Sequence, residues 1–349
     1  MAIPASQVRA LFTQMLIDVY QERIRTTSFL RSFFPTKKVS TRYVSIEVER
    51  MGEKIAVDVV RGTEGNRNIF AKSTQKIFEP PFYREFFDAT QLDLYDRVLG
   101  SQMGDNSALF AQLMDEVADK LGALQDKIER SQELMCAQIL ETGIVTTKSG
   151  DNIDYKRKAA SMVNLGSGQY FIQNADPFEK FAAGAQFLRT VGRSGEAMFV
   201  ALLGEQAMAD LLKNTVFLGR QDLVSLRLDL VREPIRNSVG AAYHGTITAR
   251  SWQIQLWTYP QFYDDATDTT TTYWNTKKVA MFPSNPRFKM AFAAVPQLIE
   301  PGGKAPVQEA YVVGNFRNKR KAVDEFDIQT APLPIPTAVD QIYTFQAVG

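Results

Sequence analysis

Residues Asp105–Gly143, DNSALFAQLMDEVADKLGALQDKIERSQELMCAQILETG, form one uninterrupted helical pattern, broken by neither proline nor any glycine except Gly122. Phe110, Leu113, Met114, Val117, Leu121, Leu124, Ile128, Met135 and Ile139 recur in steps of three, four and seven. That spacing puts them on one stripe of a helix with a 3.6-residue period. Asp105, Asn106 and Ser107 follow Gly104 as capping residue types, and Gly143 stands where a left-handed C-terminal residue is wanted. At ~1.5 Å per residue the helix would run roughly 55 Å, longer than most single hydrophobic cores are wide. Two uses fit the periodicity: a core helix of a large bundle, or a strut crossing an elongated subunit.

Outward from that helix, 349 residues suffice for two or three domains with a substantial core. Lys plus Arg number 40 and Asp plus Glu 39, a formal net charge of +1. A dedicated nucleic-acid binder would be strongly basic, and near-neutrality leaves little self-repulsion between packed copies. The single cysteine, Cys136, excludes an internal disulfide and any multi-cysteine zinc site, and inside the helix it reads as a small buried apolar residue. The single histidine, His244, leaves a lone general base open but no histidine metal cluster; a structural role in a strand or turn is the expectation. No apolar run approaches the ~20 residues of a membrane span. The first residues, Met-Ala-Ile-Pro-Ala-Ser, lack a signal-peptide pattern, so a soluble protein made inside the cell is expected.

Residues 5–34 read as an amphipathic helix with an apolar end, Phe29-Leu30 and Phe33-Phe34, stopped by Pro35. Such a surface must find a groove, its own or a neighbour's. From Lys37 the period becomes two. Val44, Ile46 and Val48, then Ile55, Val57 and Val59, suggest two strands turned at Met51-Gly52-Glu53. Arg61–Asn68 is a polar, glycine-punctuated tip, and Lys76-Ile77-Phe78 is strand-like up to Pro80-Pro81. An arm projecting from the body is expected here. The aromatic cluster Phe82, Tyr83, Phe86 and Phe87 follows.

Beyond the helix, 144–147 and 153–158 flank Ser149-Gly150-Asp151-Asn152 as a hairpin. Pro177 to Arg189 reads as a helix capped by Asp176, Ala197 to Leu203 as a fully buried strand, and Gly204 opens a short helix to Lys213. Strands at 245–249, 253–258 and 279–282 make a mixed α/β domain over roughly 190–300, with Tyr263–Tyr273 a polar loop and Phe288–Val295 a further strand. Segments 311–313, 326–329 and 344–348 read as strands returning to an earlier sheet. The chain contains no phosphate loop, no Gly-x-Gly-x-x-Gly and no Gly-x-Ser-x-Gly. A carboxylate-pair hydrolase would need no histidine, but nothing in the chain supports one.

Charge is unevenly placed. Asp105 to Gly143 holds eight acids (105, 115, 116, 119, 126, 129, 133, 141) against three bases (120, 127, 130). The stretches 31–42 and 317–321 hold four bases each and no acid. Either these patches pair within the subunit or they offer complementary faces between copies.

The order of parts carries a resemblance: an apolar N-terminal arm, an extended β arm with a polar tip, an unusually long helix, a hairpin, an α/β domain and a returning C-terminus. It resembles a tailed-phage major capsid protein of the Hong Kong 97 type. Phe29-Leu-Arg-Ser-Phe-Phe-Pro35 followed by the 54–81 arm is most similar to the lambda-type major capsid protein E family. The resemblance implies an α+β fold with an N-arm (1–40), an E-loop and its flanks (41–100), a P-domain with the spine helix (101–190), an A-domain (191–300) and a C-terminal return to the P-domain (301–349). It implies no enzymatic activity and no cofactor. Hexamers and pentamers of the chain would form an icosahedral shell around phage DNA, in virions assembled from protein made in the host cytoplasm.

The partners it implies are copies of the chain, a portal, DNA held without sequence preference, a decoration protein as a further option, and no membrane. Some members carry a cleaved N-terminal scaffolding domain; this chain begins at Met1 with its arm, so a separate scaffolding protein is expected. Some members crosslink a lysine to an asparagine, but Lys72 with Asn66 or Asn68 are residue types too common to predict that bond. Candidate inter-subunit contacts are Arg61, Glu64, Arg67, Lys72 and Phe78 of the arm, Phe29, Phe33 and Phe34, Glu116 and Asp119 of the helix, and Arg317, Lys319 and Arg320. A tail or neck component is the alternative, and an enzyme the remoter one.

Overall fold

The structure, a computed structural model, describes residues 28–48, 74–90, 106–147, 152–173, 175–223, 235–236, 240–265, 267–299, 303–318 and 323–349. After the short helix α1 (Phe29–Ser32) come strands β1 (Thr36–Lys38), β2 (Val44–Val48), β3 (Thr74–Phe78) and β4 (Tyr83–Thr90). The long helix is α2 (Asn106–Glu141), 36 residues and so about 54 Å in length.

That helix ends as its sequence demands. The Gly143 N–H donates to the carbonyl of Ile139, and Gly143 takes φ +74°. This is the left-handed residue that closes a helix, and glycine adopts it without steric cost. Strands β5 (Ile144–Val145) and β6 (Ile153–Asp154) then pair antiparallel, the expected hairpin.

Helix α2 spans two cores. Its first half sets Val117, Leu121 and Ile128 against a three-stranded sheet. This sheet runs β18 (Val312–Asn318), β19 (Val323–Thr330), β4, so the region after 311 does return to an earlier strand. Its second half sets Met135, Cys136, Ile139 and Leu140 into the largest core, with Phe29, Leu30 and Phe34 of the N-terminal segment. Residues 132, 133, 135–137, 139 and 140 are all buried, so the helix is enclosed on every side there.

The central sheet has seven strands in the order β7 (Met162–Asn164), β21 (Tyr343–Gln346), β14 (Lys278–Pro283), β8 (Met198–Leu203), β11 (Trp252–Thr258), β10 (Ala242–Ala249), β9 (Ile235–Arg236). Strand β8 lies in the middle, parallel to β11 and antiparallel to β14. Phe199, Ala201 and Leu203 point to one core and Val200 and Leu202 to the other. Burial on both faces is why this strand reads as an unbroken apolar run. The first of those faces is covered by α3 (Pro177–Thr190) and α4 (Glu205–Lys213), with α5 (Thr215–Leu223) beside them. Asp176 caps α3 by accepting from the Phe178 N–H, with Pro177 in the first turn.

Strand β2 pairs antiparallel with β3, Val44 opposite Phe78 and Val48 opposite Thr74. The proposed strand 55–59 and turn 51–53 lie outside the described residues. Tyr263–Tyr273 is not a plain loop: β12 (Phe262–Asp264) and β13 (Thr270–Thr272) form a hairpin. Its threonines are β-branched, and Asp265 Oδ1 replaces turn backbone by accepting from the N–H groups of Thr267 and Thr269. Phe288–Val295 divides into β15 (Phe288–Phe292) and β16 (Val295–Ile299). The last strand, β21, returns to the earlier central sheet, between β7 and β14. Its Tyr343 and Phe345 fill the core beneath α3.

Candidate assembly surface

The β2–β3 pair brings together the two chain segments that flank residues 49–73. Large apolar side chains stand exposed on and beside β3 and β4. Ile77 is 67% exposed, and Tyr43, Phe82 and Phe86 are each about half exposed or more. In β4, residues 83, 85 and 87 turn partly inward and 82, 84, 86 and 88 outward, so alternation hides Tyr83 and Phe87 while presenting Phe86. A folded subunit gains by covering such groups against a partner. The rim is polar: the Arg42 guanidinium bonds the Glu79 carboxylate at 2.5 Å and lies over the Tyr43 ring.

The predicted contact residues divide. Phe78 is half-buried at the foot of the arm, its ring 5.9 Å from Tyr155. Phe29 and Phe34 are corrected: they are buried in the subunit's own core, Phe29 against Trp257 and Tyr259, Phe34 stacked on Phe288. Phe33 is half-buried, edge-on to Phe282. The groove these side chains needed is intramolecular, leaving Phe29 and Phe34 no surface for a neighbour. Asp119 lies on the exposed side of α2, and Glu116 is in the same helix. Arg317 lies in β18 opposite Asp324 in register. Arg61, Glu64, Arg67, Lys72, Lys319 and Arg320 lie outside the described residues.

Some acids of α2 find partners within the subunit. Glu133 is 1% exposed and accepts the N–H groups of Leu30 and Arg31 at 2.8 Å each. Glu141 pairs with Lys278 at 2.8 Å. Lys127, for its part, bonds Glu85 of β4 at 2.8 Å. The excess negative charge in the sequence is partly spent inside the subunit.

Two further groups were invisible to sequence reasoning. Arg157, 8% exposed, donates from Nη1 to the carbonyls of Leu140 and Glu141, and from Nη2 to those of Ser161 and Ile342 and to Thr344 Oγ1. It thereby caps the C-terminal carbonyls of α2 and ties them to β21. Burial pulls its pKa down to about 10, partly countered by the Asp340 charge. Asn214, fully buried, donates to the carbonyls of Phe171 and Ala175 and accepts the Phe217 N–H. Neither residue lies in a motif; only the carbonyls brought together by folding reveal them.

The groups with chemical potential have structural partners. Cys136 is fully buried, and burial, with the nearby Glu133 charge, drives its thiol pKa well up, away from nucleophilic use. His244 is half-buried with Nε2 2.7 Å from Thr258 Oγ1, and burial lowers its pKa. Among the described residues no helix is long and apolar enough to cross a membrane.

Two solved structures share this fold. A prophage protein from E. coli CFT073, described as a capsid protein, superposes with a TM-score of 0.64 at 14% identity over 100% of both chains. A phage-related protein from Bordetella bronchiseptica RB50 superposes with a TM-score of 0.54 at 11% identity over 96% of both. No curated protein matches the chain in sequence. The architecture is the Hong Kong 97-like capsid fold, the class of subunits that tile phage shells. Residues 13–347 match the model of the phage major capsid protein E family, and the chain belongs to that family. It is a shell-forming major capsid protein of a bacteriophage.

Proposed function

We propose that the subunit builds its shell as hexamers and pentamers, with the 54–81 arm reaching onto an adjacent copy. The observation that carries this reading is the exposure of large apolar side chains on and beside β3 and β4, Tyr43, Ile77, Phe82 and Phe86. A lone monomer gains nothing from leaving them in water, whereas an obligate contact of about 2,000 Å² or more would cover them. In this reading 1–40 is the N-arm, 41–100 the E-loop with its flanks, α2 the spine and roughly 191–300 the A-domain. The C-terminal return is shared, β18 and β19 going to the P-domain and β21 to the A-domain sheet. Arg61, Glu64, Arg67, Lys72, Phe78, Asp119 and Arg317, with Glu116, Lys319 and Arg320, are the contact residues retained.

The role is mechanical and not enzymatic: stability comes from many copied contacts. A separate scaffolding protein, a portal, a decoration protein and DNA held without sequence preference are the further partners, and synthesis takes place in the host cytoplasm. Replacing Arg61–Asn68 with a two-residue turn tests the arm. Expected is a folded, soluble subunit that forms no shells under conditions where the parent chain does. Normal closed particles of the variant in electron micrographs would remove the assignment.

A further inference from the structure

Strand β4 is an edge of the β18–β19–β4 sheet, and among the described residues no strand pairs with its outer side. Such edges are normally blunted by proline, lysine or a bulge. Strand β4 reads Tyr-Arg-Glu-Phe-Phe-Asp-Ala-Thr, with neither proline nor lysine, and all eight residues pair with β19 without a shift in register. It is an unblocked template for a further strand.

Alternation fixes what such a strand would meet. Tyr83 and Phe87 turn towards α2, so Arg84, Phe86 and Asp88 share the opposite face, all three exposed. Phe86 stands in the middle, with a cation two residues before it and an acid two residues after it. Arg84 is held in place. Its Nε donates to Asp327 Oδ2 at 2.7 Å, and its guanidinium carbon lies 5.7 Å from the centre of the Phe316 ring. Asp327 is wholly buried, so it anchors the guanidinium from beneath while Arg84 stays nearly half exposed. Among the described residues the two Nη groups make no hydrogen bond, which leaves them to receive a carboxylate from outside.

We propose that β4 is a two-fold contact between copies of the chain, pairing antiparallel with β4 of a second copy about Phe86. In that register Phe86 lies opposite Phe86 of the second copy, and Arg84 and Asp88 lie opposite its Asp88 and Arg84. The other registers fail on the same pattern. A slip of one residue sets the outward face against the inward one. A two-fold centred on Arg84 or Asp88 puts like charges directly opposite each other, which is destabilising. One centred on Glu85 or Phe87 sets Phe86 against a charged side chain. Only the Phe86 centre matches the aromatic ring and both charges in one operation, and Arg84 loses little freedom because it is already anchored.

Contacts around a ring of five or six copies are head-to-tail, so a two-fold contact joins separate rings. The inference rests on the hexamer-and-pentamer reading only for that placement, and it needs no residue of the 54–81 arm.

Single cysteines read the register. In closed particles assembled from the Phe86→Cys chain, mild oxidation should link subunits into dimers on a non-reducing gel. Opposite Cβ atoms of an antiparallel pair lie about 4.5–5.5 Å apart, within small adjustment of a disulfide. Glu85→Cys should give no dimer, since its own counterpart lies two residues along the facing strand. The native Cys136 is buried and does not compete. Closed Phe86→Cys particles without the link overturn the strand contact and leave the arm reading standing. Shells formed without the arm tip would do the reverse. Should Phe86→Cys not assemble, amide exchange of the parent chain decides. A peptide covering 83–90 should exchange at least about tenfold more slowly in particles than in unassembled subunits, and equal exchange overturns the contact. A dimer at Glu85→Cys instead, or slowed exchange in unlinked Phe86→Cys particles, puts another segment or partner on the edge and likewise overturns it.

Discussion

Removing the Arg157 side chain should cost the subunit a large share of its stability, and the cost should be coupled to Gly143. Arg157 gives hydrogen bonds to four carbonyls, three of them in buried bonds, and to a buried hydroxyl, joining the end of α2, Ser161 and the start of β21. Each buried acceptor left without a donor costs about 1–3 kcal/mol, reduced where others donate or water enters. Ser161 O, for instance, keeps its bond from Thr344 Oγ1 at 3.3 Å. The relief of no longer burying a cation offsets part, so Arg157→Ala should cost about 3–5 kcal/mol, the range for breaking a buried charged network.

Gly143→Ala tests the same place independently. Its φ of +74° would strain an alanine by about 1–2 kcal/mol. The new Cβ would also sit 2.4 Å from Arg157 Cδ and 2.6 Å from Cγ, an overpacking of about 1–3 kcal/mol. In the Arg157→Ala background those two atoms are gone, so Gly143→Ala should cost the backbone strain and only a small adjustment to the remaining Cβ at 3.3 Å. Urea unfolding of the unassembled subunit, followed by circular dichroism for the four members of the cycle, measures the coupling. Equal costs for Gly143→Ala in both backgrounds, or Arg157→Ala within about 1 kcal/mol of the parent, would refute the assignment of Arg157 as the clasp between helix end and C-terminal strand.

Phe34→Ala should destabilise the isolated subunit by about 3–5 kcal/mol in the same urea assay, because Phe34 is wholly buried and stacked on Phe288. Unchanged subunit stability with lost assembly would return it to the interface. Cys136 should resist thiol reagents in the folded subunit and react only on unfolding; rapid stoichiometric labelling in native buffer would contradict its burial. For His244, burial depresses the folded pKa below 6.5, so its contribution to stability is present above 6.5 and lost as pH falls through the folded value. The urea midpoint should therefore drop more between about pH 7.5 and pH 5 for the parent than for His244→Gln, and an identical drop in both would exclude the linkage.

Whatever depends on neighbours in the chain could be read from the sequence alone. Helix α2, with Gly143 at its end, the Asp176–Pro177 start of α3 and the doubly buried β8 each follow from local periodicity and capping, so their limits emerge within a residue or two. The order of those elements was enough to suggest the capsid family, because a long strut after an arm is itself a rare arrangement. Strand partners were decided only by the tertiary structure. Nothing local tells Val44–Val48 to choose Thr74–Phe78 across residues 49–73, or Tyr343–Gln346 to enter the central sheet. The partners of charges were decided the same way: only folding sets two backbone N–H groups against the helix acid Glu133. Whether Phe29 and Phe34 meet a neighbour or their own core likewise depends on a groove built from residues more than 200 positions away, Trp257, Tyr259 and Phe288. Periodicity specifies that an apolar face must be buried; only the assembled chain specifies what buries it.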